Sequence, residues 1–503
     1  MEEPMDRTSP HRRPHSQRMR RFAAGGLLAL ALTAGCAIAS GERSANRSAK
    51  AAAQVEEQIG LVDNEPLREY VIAIGERLAQ GSTRADVAYK FDLLDMSAPN
   101  AFALPDGHIY VSRGLLSLMN EEDELAAVIG HELGHVAARH HIKQTLRDVP
   151  LAPLRIATGL GGALAGVVSP LLGRTIAGTG QLTSAIVHAP YSRDQEREAD
   201  RIGQQLVADA GWDPAALASF MHTLGREQEL LGGDPNHASF LATHPASEER
   251  SRAAVEQARS IQRTTKPPIS ADRRAFLSRL EGLLVGKPAS EGVFAGNDFL
   301  HAGLAIAWTL PDGWEQVNED RFVGALDREN DRGIVLLVAA EGDDPMETAK
   351  AGTRRLRMEQ APAAVAGNDF GAVRARALDG AVRAELTWLA KNGLVFLING
   401  FAPSDDPRST GEALRSSADS FRALSPADRE RIREQRLDVV QALGEETLTA
   451  LLDRNGSLWP AEEAAVANAI LPDSRLESGQ WIKITRPTRV ESHVDSADGS
   501  GED

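Results

Sequence analysis

Cysteine is almost absent from this sequence: there is one residue in 503, Cys36. No intramolecular disulfide can form and a thiolate-rich metal site is excluded, so any metal must rest on histidine and carboxylate. Positive charge is in deficit as well. Asp and Glu number 71 against 55 Lys and Arg, a formal net charge of −16. Binding driven by neutralising nucleic-acid phosphates is thereby excluded. What is present is ordinary globular material, 42% hydrophobic and 25% charged, which rules out collagen, a coiled-coil rod and wholesale disorder. The length accommodates two to four domains.

The N-terminus reads as a targeting segment. Residues 1–21 carry six Arg and three acids, and Phe22 to Ala34 is an uncharged run of 13, too short for a bilayer but suited to a signal-peptide core. The run leads into Leu32-Thr33-Ala34-Gly35-Cys36, which resembles the lipobox of bacterial lipoproteins. That resemblance implies acylation of Cys36, and Ala37 after it implies the outer membrane. A plain secretory signal cleaved within Ala37-Ile38-Ala39-Ser40 is the alternative. The expected location is the bacterial cell envelope, facing the periplasm.

Pattern changes divide the remainder. Residues 1–36 form the leader, 37–60 a tether, 61–262 a mainly helical domain with a small sheet, 275–425 an α+β accessory domain, 430–486 a small terminal unit and 487–503 an acidic, disordered tail. The overall class is α+β. Three- and four-residue apolar steps predict a helix over 66–80, and short strands are expected at 89–94 and 107–111. Residues 151–187, rich in Gly and Ala, read as a mobile apolar hairpin or lid rather than a spanning helix. In the accessory domain, strands are expected at 304–310 and 334–339, a helix at 346–360, and a hairpin of 384–389 with 394–398 around Asn392-Gly393.

Chemistry concentrates in His131-Glu132-Leu133-Gly134-His135. On a helix, residues four apart share a face, so both imidazoles can hold one metal with the glutamate beside a water. A helix over 121–144 is predicted, capped by Asn120, with acids at 121–124 against its positive end. A third ligand is needed, and Glu196, 61 residues beyond His135, is the candidate, on a helix over 192–210 capped by Ser192. Asp200, one turn on, can hold the free ring nitrogen of a ligating histidine. His108, His140 and His141 read as structural or exposed.

Four stretches together resemble metallopeptidase family forty-eight, the HtpX-like and CAAX-prenyl-protease-like gluzincins: Asn100 to Val111, His131 to His140, Glu196 to Asp200, and Thr243-His244-Pro245 with Arg250. The resemblance covers about residues 45–262. It implies one zinc per chain on His131, His135 and Glu196, with Glu132 as general base and Asp200 supporting the ligands. His244 or Arg250 is left as oxyanion stabiliser, with His244 as a latent zinc ligand the alternative. Asn100, Ala101, Phe102 and Ala103 would form an exposed edge strand taking up extended, unfolded or misassembled polypeptide. The implied activity is a zinc endopeptidase of envelope protein quality control; a latent or non-catalytic chaperone or wall-binding lipoprotein is the competing class. The unit at 430–486 resembles, at low similarity, a LysM module, which implies peptidoglycan as a partner.

Overall fold

The computed structural model describes residues 49–140, 191–230, 240–245, 248–319, 322–354, 356–406 and 408–490. Cys36, the leader, the 151–187 segment, His141 and the acidic tail lie outside the described residues. Among the described residues no helix is long and apolar enough to cross a membrane.

After a helical stretch at 49–59, helix α1 (Glu65–Ala79) begins where the Asn64 side chain accepts the Leu67 N–H and Pro66 presets the first turn. Its Leu67, Tyr70, Val71, Ile74 and Leu78 are buried, as their spacing predicts. A three-stranded sheet follows, ordered β1 (Lys90–Leu94), β3 (His108–Ser112), β2 (Ala101–Ala103), with β1 parallel and β2 antiparallel to β3. Helices α2 (Arg113–Leu118) and α3 (Glu122–Ala137) come next, and α3 carries the HExxH residues.

The start and end of α3 depart from expectation. Asn120 does not cap it: its side-chain amide donates to the Leu118 and Ala467 carbonyls, while its backbone N–H is taken by the Glu124 carboxylate. The helix ends at Ala137, because Arg139 turns into the left-handed region at φ 58°. Glu122, in the first turn, is a buried hub. Its carboxylate accepts from Tyr70 Oη at 2.7 Å, Trp212 Nε1 at 2.6 Å, the Ile269 N–H at 2.7 Å and the Ser270 N–H.

Helix α4 (Arg193–Ala210) has the predicted Ser192 cap, closed as a reciprocal box with Gln195, and ends at Gly211 with φ 96°. It crosses α3 backbone to backbone: a Cβ on Gly134 would lie 2.5 Å from the Ala199 carbonyl oxygen, and one on Gly203 would lie 2.8 Å from the Gly130 carbonyl. Helices α5 (Ala216–Leu230), α6 (Phe240–Thr243) and α7 (Glu248–Ser260) complete this layer.

Helix α8 (Arg273–Leu280) and the short β4 (Leu284–Val285) belong to the first core, where Phe276, Leu277 and Leu280 are buried with Tyr70 and Leu116. The packing boundary therefore falls after β4, later than the residue 275 expected from composition. Beyond it, β5 (Val293–Ala295), β6 (Asp298–His301) and β7 (Ile306–Thr309) lead into a seven-stranded antiparallel sheet. Its strands are β8 (Glu315–Asn318), β9 (Val323–Asp327), β10 (Arg332–Glu341), β11 (Arg357–Ala364), β12 (Val373–Asp379), β13 (Val382–Lys391) and β14 (Leu394–Pro403), in the order β11-β12-β13-β14-β10-β9-β8. The β13–β14 turn has Asn392 and Gly393 both at positive φ, 54° and 73°, as the predicted hairpin requires. The helix expected over 346–360 stops early. Helix α9 (Pro345–Thr353) is followed by strand β11, whose pairing with β12 overrides local helix propensity. Helix α10 (Arg408–Asp419) covers the other face, and β15 (Arg422–Ala423) and α11 (Pro426–Arg429) lead out.

The terminal unit runs strand–helix–helix–strand: β16 (Arg433–Gln441), α12 (Leu448–Asn455), α13 (Ala461–Ala467), β17 (Trp481–Arg489). It is not hung on a tether. β16 pairs with β17 on one side and β4 on the other, and Leu437, Leu448, Leu451, Ala464, Ile482 and Ile484 share one core with α1 to α3. Lys483, fully buried, donates to the Ser117 and Met119 carbonyls at 2.8 and 2.7 Å. Removing residues after 425 exposes this apolar face and strips partners from buried groups. Such a truncation is expected to yield an unfolded or aggregated peptidase region, read by loss of a cooperative thermal transition; a cooperative melt at the full-length temperature would refute the shared core.

Candidate metal centre

Four side chains meet beneath the α3–α4 crossing. His131 and His135 come from successive turns of α3, Glu196 from the first turn of α4, and His244 from just after α6, all of them 0–1% exposed. His131 Nε2 lies 3.0 Å from His135 Nε2 and 3.1 Å from His244 Nδ1. Glu196 Oε1 is 3.3 Å from His135 Nε2 and 3.1 Å from His244 Nδ1, and its Oε2 is 3.5 Å from His131 Nε2. Hydrogen bonding does not account for this convergence. His131 directs its other nitrogen, Nδ1, at Asp200 Oδ1, 2.9 Å away, which places the ring proton there and leaves a lone pair facing the cluster. A cation does account for it: zinc bonds of ~2.0–2.1 Å to a tetrahedral set require ligand atoms ~3.3–3.4 Å apart. The donor set, imidazole nitrogens plus one carboxylate, suits zinc.

The electrostatics agree with ligand protonation states at Glu196 and His135 but not at His244, where burial would lower the imidazole's pKa and Glu196 and Glu132 outweigh it, holding the ring above its ordinary value. Burial alone would raise the Glu196 carboxyl, but His244, His135 and His131 outweigh it and hold the group well below the carboxylate range. Burial holds the His135 imidazole well below its ordinary value and so neutral. For Asp200 the cost of burial is outweighed by Arg250 and His131, so it too stays ionised. Metal binding needs these forms, a neutral imidazole and a charged carboxylate.

Glu132 is placed differently. It is fully buried, and neither carboxylate oxygen has a hydrogen-bond partner among the described residues. His244 Nε2 stands 3.4 Å from its Oε1. Burial raises its pKa, with His244 and His131 opposing.

Arg250, expected as one of two oxyanion stabilisers, is engaged elsewhere. Its Nε and Nη2 grip Asp200 at 2.6 and 2.8 Å, and its Nη1 lies 2.6 Å from Glu196 Oε2. It braces two carboxylates of the site. His244 stands in the ligand set, the alternative that the sequence left open. β2 is an edge strand, as expected, but not an exposed one, because it lies against α3. Asn100, Phe102 and Leu104 pair towards β3, so the main-chain groups of Ala101 and Ala103 point away from β3, with that of Ala103 towards Glu132. The side chains of Asn100, Ala101, Phe102 and Ala103 are buried.

Three features escaped sequence reasoning. The Tyr191 ring stacks on His135 with centroids 3.8 Å apart, and Phe240 stacks on His244 at 4.3 Å, so both imidazoles are wedged by aromatic faces. His140, read as structural or exposed, is fully buried against His135. The Gly130, Gly134 and Gly203 contacts bring the two helices together; four-residue spacing of small residues was the available signal.

Comparison with known proteins agrees with this geometry. Residues 66–258, which hold every residue of the cluster, match the profile of peptidase family M48. The beta-barrel assembly-enhancing protease of Yersinia pestis is 30% identical over 216 residues, covering 42% of this chain and 42% of that protein. Its namesake in Escherichia coli (strain K12) is 30% identical over 206 residues, 40% of this chain and 41% of the relative. The mitochondrial metalloendopeptidase OMA1 of Arabidopsis thaliana is 37% identical over 157 residues, 31% of this chain and 29% of that one. The matches to the two assembly-enhancing proteases thus span about two fifths of those relatives' length. Over residues 66–258 the chain is thus similar to peptidase family M48 and to metallopeptidases named for beta-barrel assembly and for mitochondrial OMA1.

Proposed function

We propose that this chain is a zinc-dependent endopeptidase of the bacterial cell envelope that hydrolyses peptide bonds in misfolded or misassembled proteins. The observation that carries the reading is one buried cluster in which four ligand atoms converge beside a carboxylate, Glu132, without a hydrogen-bond partner among the described residues. The residues that would hold the metal are His131, His135 and Glu196, with Asp200 orienting His131 and Arg250 bracing Asp200 and Glu196. Zinc held there supplies Lewis acidity to the scissile carbonyl and lowers the pKa of the attacking water. Glu132 takes the proton of that water, which its buried position favours by raising its pKa, and hands it to the leaving amine. The main-chain groups of Ala101 and Ala103 that point away from β3 align an extended substrate by strand addition, which accepts many sequences and selects for unfolded chain.

The printed names of the relatives support polypeptide substrates, and those of the two beta-barrel assembly-enhancing proteases support the envelope. Membrane attachment through Cys36 and peptidoglycan binding by 430–486 complete the proposal, on the lipobox and LysM resemblances.

One observation favours a second reading, a latent enzyme or non-catalytic chaperone or wall-binding lipoprotein. His244 Nδ1 fills the fourth corner of the ligand set, and a closed four-ligand set is the mark of a metal site without an open position. In a latent enzyme His244 withdraws before cleavage and opens the fourth position. The test is cleavage of unfolded casein and of a stably folded control. Removing metal with a chelator is expected to abolish casein cleavage and added zinc to restore it, with the folded control intact throughout. Cleavage indifferent to chelation would refute the zinc reading. Silence in the wild type with activity in His244→Ala would establish latency.

A further inference from the structure

His131 has a carboxylate behind it, Asp200; the group behind His135 is another imidazole. His135 Nδ1 lies 3.0 Å from His140 Nδ1, and His140 Nε2 lies 3.1 Å from Glu198 Oε2. Chemistry then sets the tautomers in turn. Since His135 turns Nε2 to the ligand cluster, its proton sits on Nδ1 and is donated to His140. His140 must accept at Nδ1, so its own proton sits on Nε2 and is donated to Glu198. With neutral rings, this arrangement satisfies both contacts.

We propose that His140 and Glu198 form a positioning pair for His135, fixing its tautomer and ring orientation for the metal, so that α4 braces both ligand histidines. Asp200 of that helix does so for His131 directly, and Glu198 for His135 through one imidazole. This rests on the metal reading given above.

The backbone is shaped for the contact. In a continued helix, residue 140 would stand about 140° round the axis from residue 135, out of reach of its ring. The chain leaves the helix instead: the Ala138 N–H bonds the Gly134 carbonyl, the Arg139 N–H bonds that of Val136, and Arg139 takes φ 58°. This left-handed step, uncommon for a residue with a Cβ, returns His140 beneath His135, where its side chain is fully buried. The Glu198 side chain is 45% exposed, so its carboxylate reaches His140 from the rim of the core.

The test is zinc affinity of the full chain, by competition with a chromogenic chelator, for wild type, Glu198→Gln, His140→Ala and the double variant. Glu198→Gln and His140→Ala are each expected to weaken zinc about 10- to 100-fold, as loss of such partners does at other sites. The double variant should be no weaker than His140→Ala alone, because both act through one chain. Asp194→Asn, an exposed acid of the same helical turn, should leave affinity unchanged. Wild-type affinity in Glu198→Gln would overturn the pairing even if His140→Ala failed to fold, and so would fully additive losses. A wild type without measurable zinc affinity would instead overturn the metal reading beneath it.

Discussion

Replacing Glu132 by Gln is expected to lower kcat on an unfolded substrate by about 10³- to 10⁴-fold, the upper part of the range for a general acid–base residue. Zinc content should be unchanged, because no ligand atom is touched. The stability effect separates this role from a structural one. Glu132 is fully buried with no hydrogen-bond partner for either oxygen among the described residues, so it costs the fold desolvation energy. An amide of the same shape costs less. Glu132→Gln should therefore melt at or above the wild-type temperature while losing activity, the trade expected where a site is kept for chemistry at the expense of stability. Substantial residual turnover, or a marked drop in melting temperature, would show that Glu132 is not the base.

The second large effect is remote from the reacting atoms. A Cβ on Gly134 would stand 2.5 Å from the Ala199 carbonyl oxygen and 3.0 Å from its Cα, both backbone atoms that cannot rotate aside. Gly134→Ala must therefore push α4 off α3, at a cost of about 3 kcal/mol, the upper end for overpacking. Because Glu196, Glu198 and Asp200 ride on α4, the same displacement draws them away from the two histidines. Zinc affinity should fall at least tenfold together with stability. Gly225→Ala is the control: nothing lies within 4 Å of a Cβ there, so it should gain about 0.5–1 kcal/mol from helix propensity alone. Denaturant melts and zinc titration of both variants check the pair. Equal behaviour at the two glycines would mean that close helix contact does not set the site.

Local signals in the chain carried much of this far. The apolar steps of α1, the Ser192–Gln195 cap of α4 and the Asn392-Gly393 turn are each decided by residues close in sequence, and each was readable there. So was the metal cluster, since the HExxH spacing, Glu196 and Asp200 depend on helical periodicity. What was not readable depends on distant partners. Asn120 looks like a cap until the Ala467 carbonyl, 347 positions away, takes its amide. Residues 357–360 look helical until β12 offers a ladder. The terminal unit looks separable because its composition is ordinary, yet β4 and the Ser117 and Met119 carbonyls tie it to the peptidase core. His140 reads only as structural or exposed; the left-handed Arg139 that brings it to His135 has no strong sequence signature.

The most direct test of the account is the coordination of zinc in the purified full-length protein, measured as metal per chain together with X-ray absorption at the zinc edge. The account predicts one zinc per chain with about four nitrogen or oxygen ligands near 2.0 Å and imidazole scattering from His131 and His135; a third imidazole that is lost in His244→Ala is the mark of the latent form. A chain that binds no zinc, or a zinc whose ligands survive loss of His131 and His135, would contradict it.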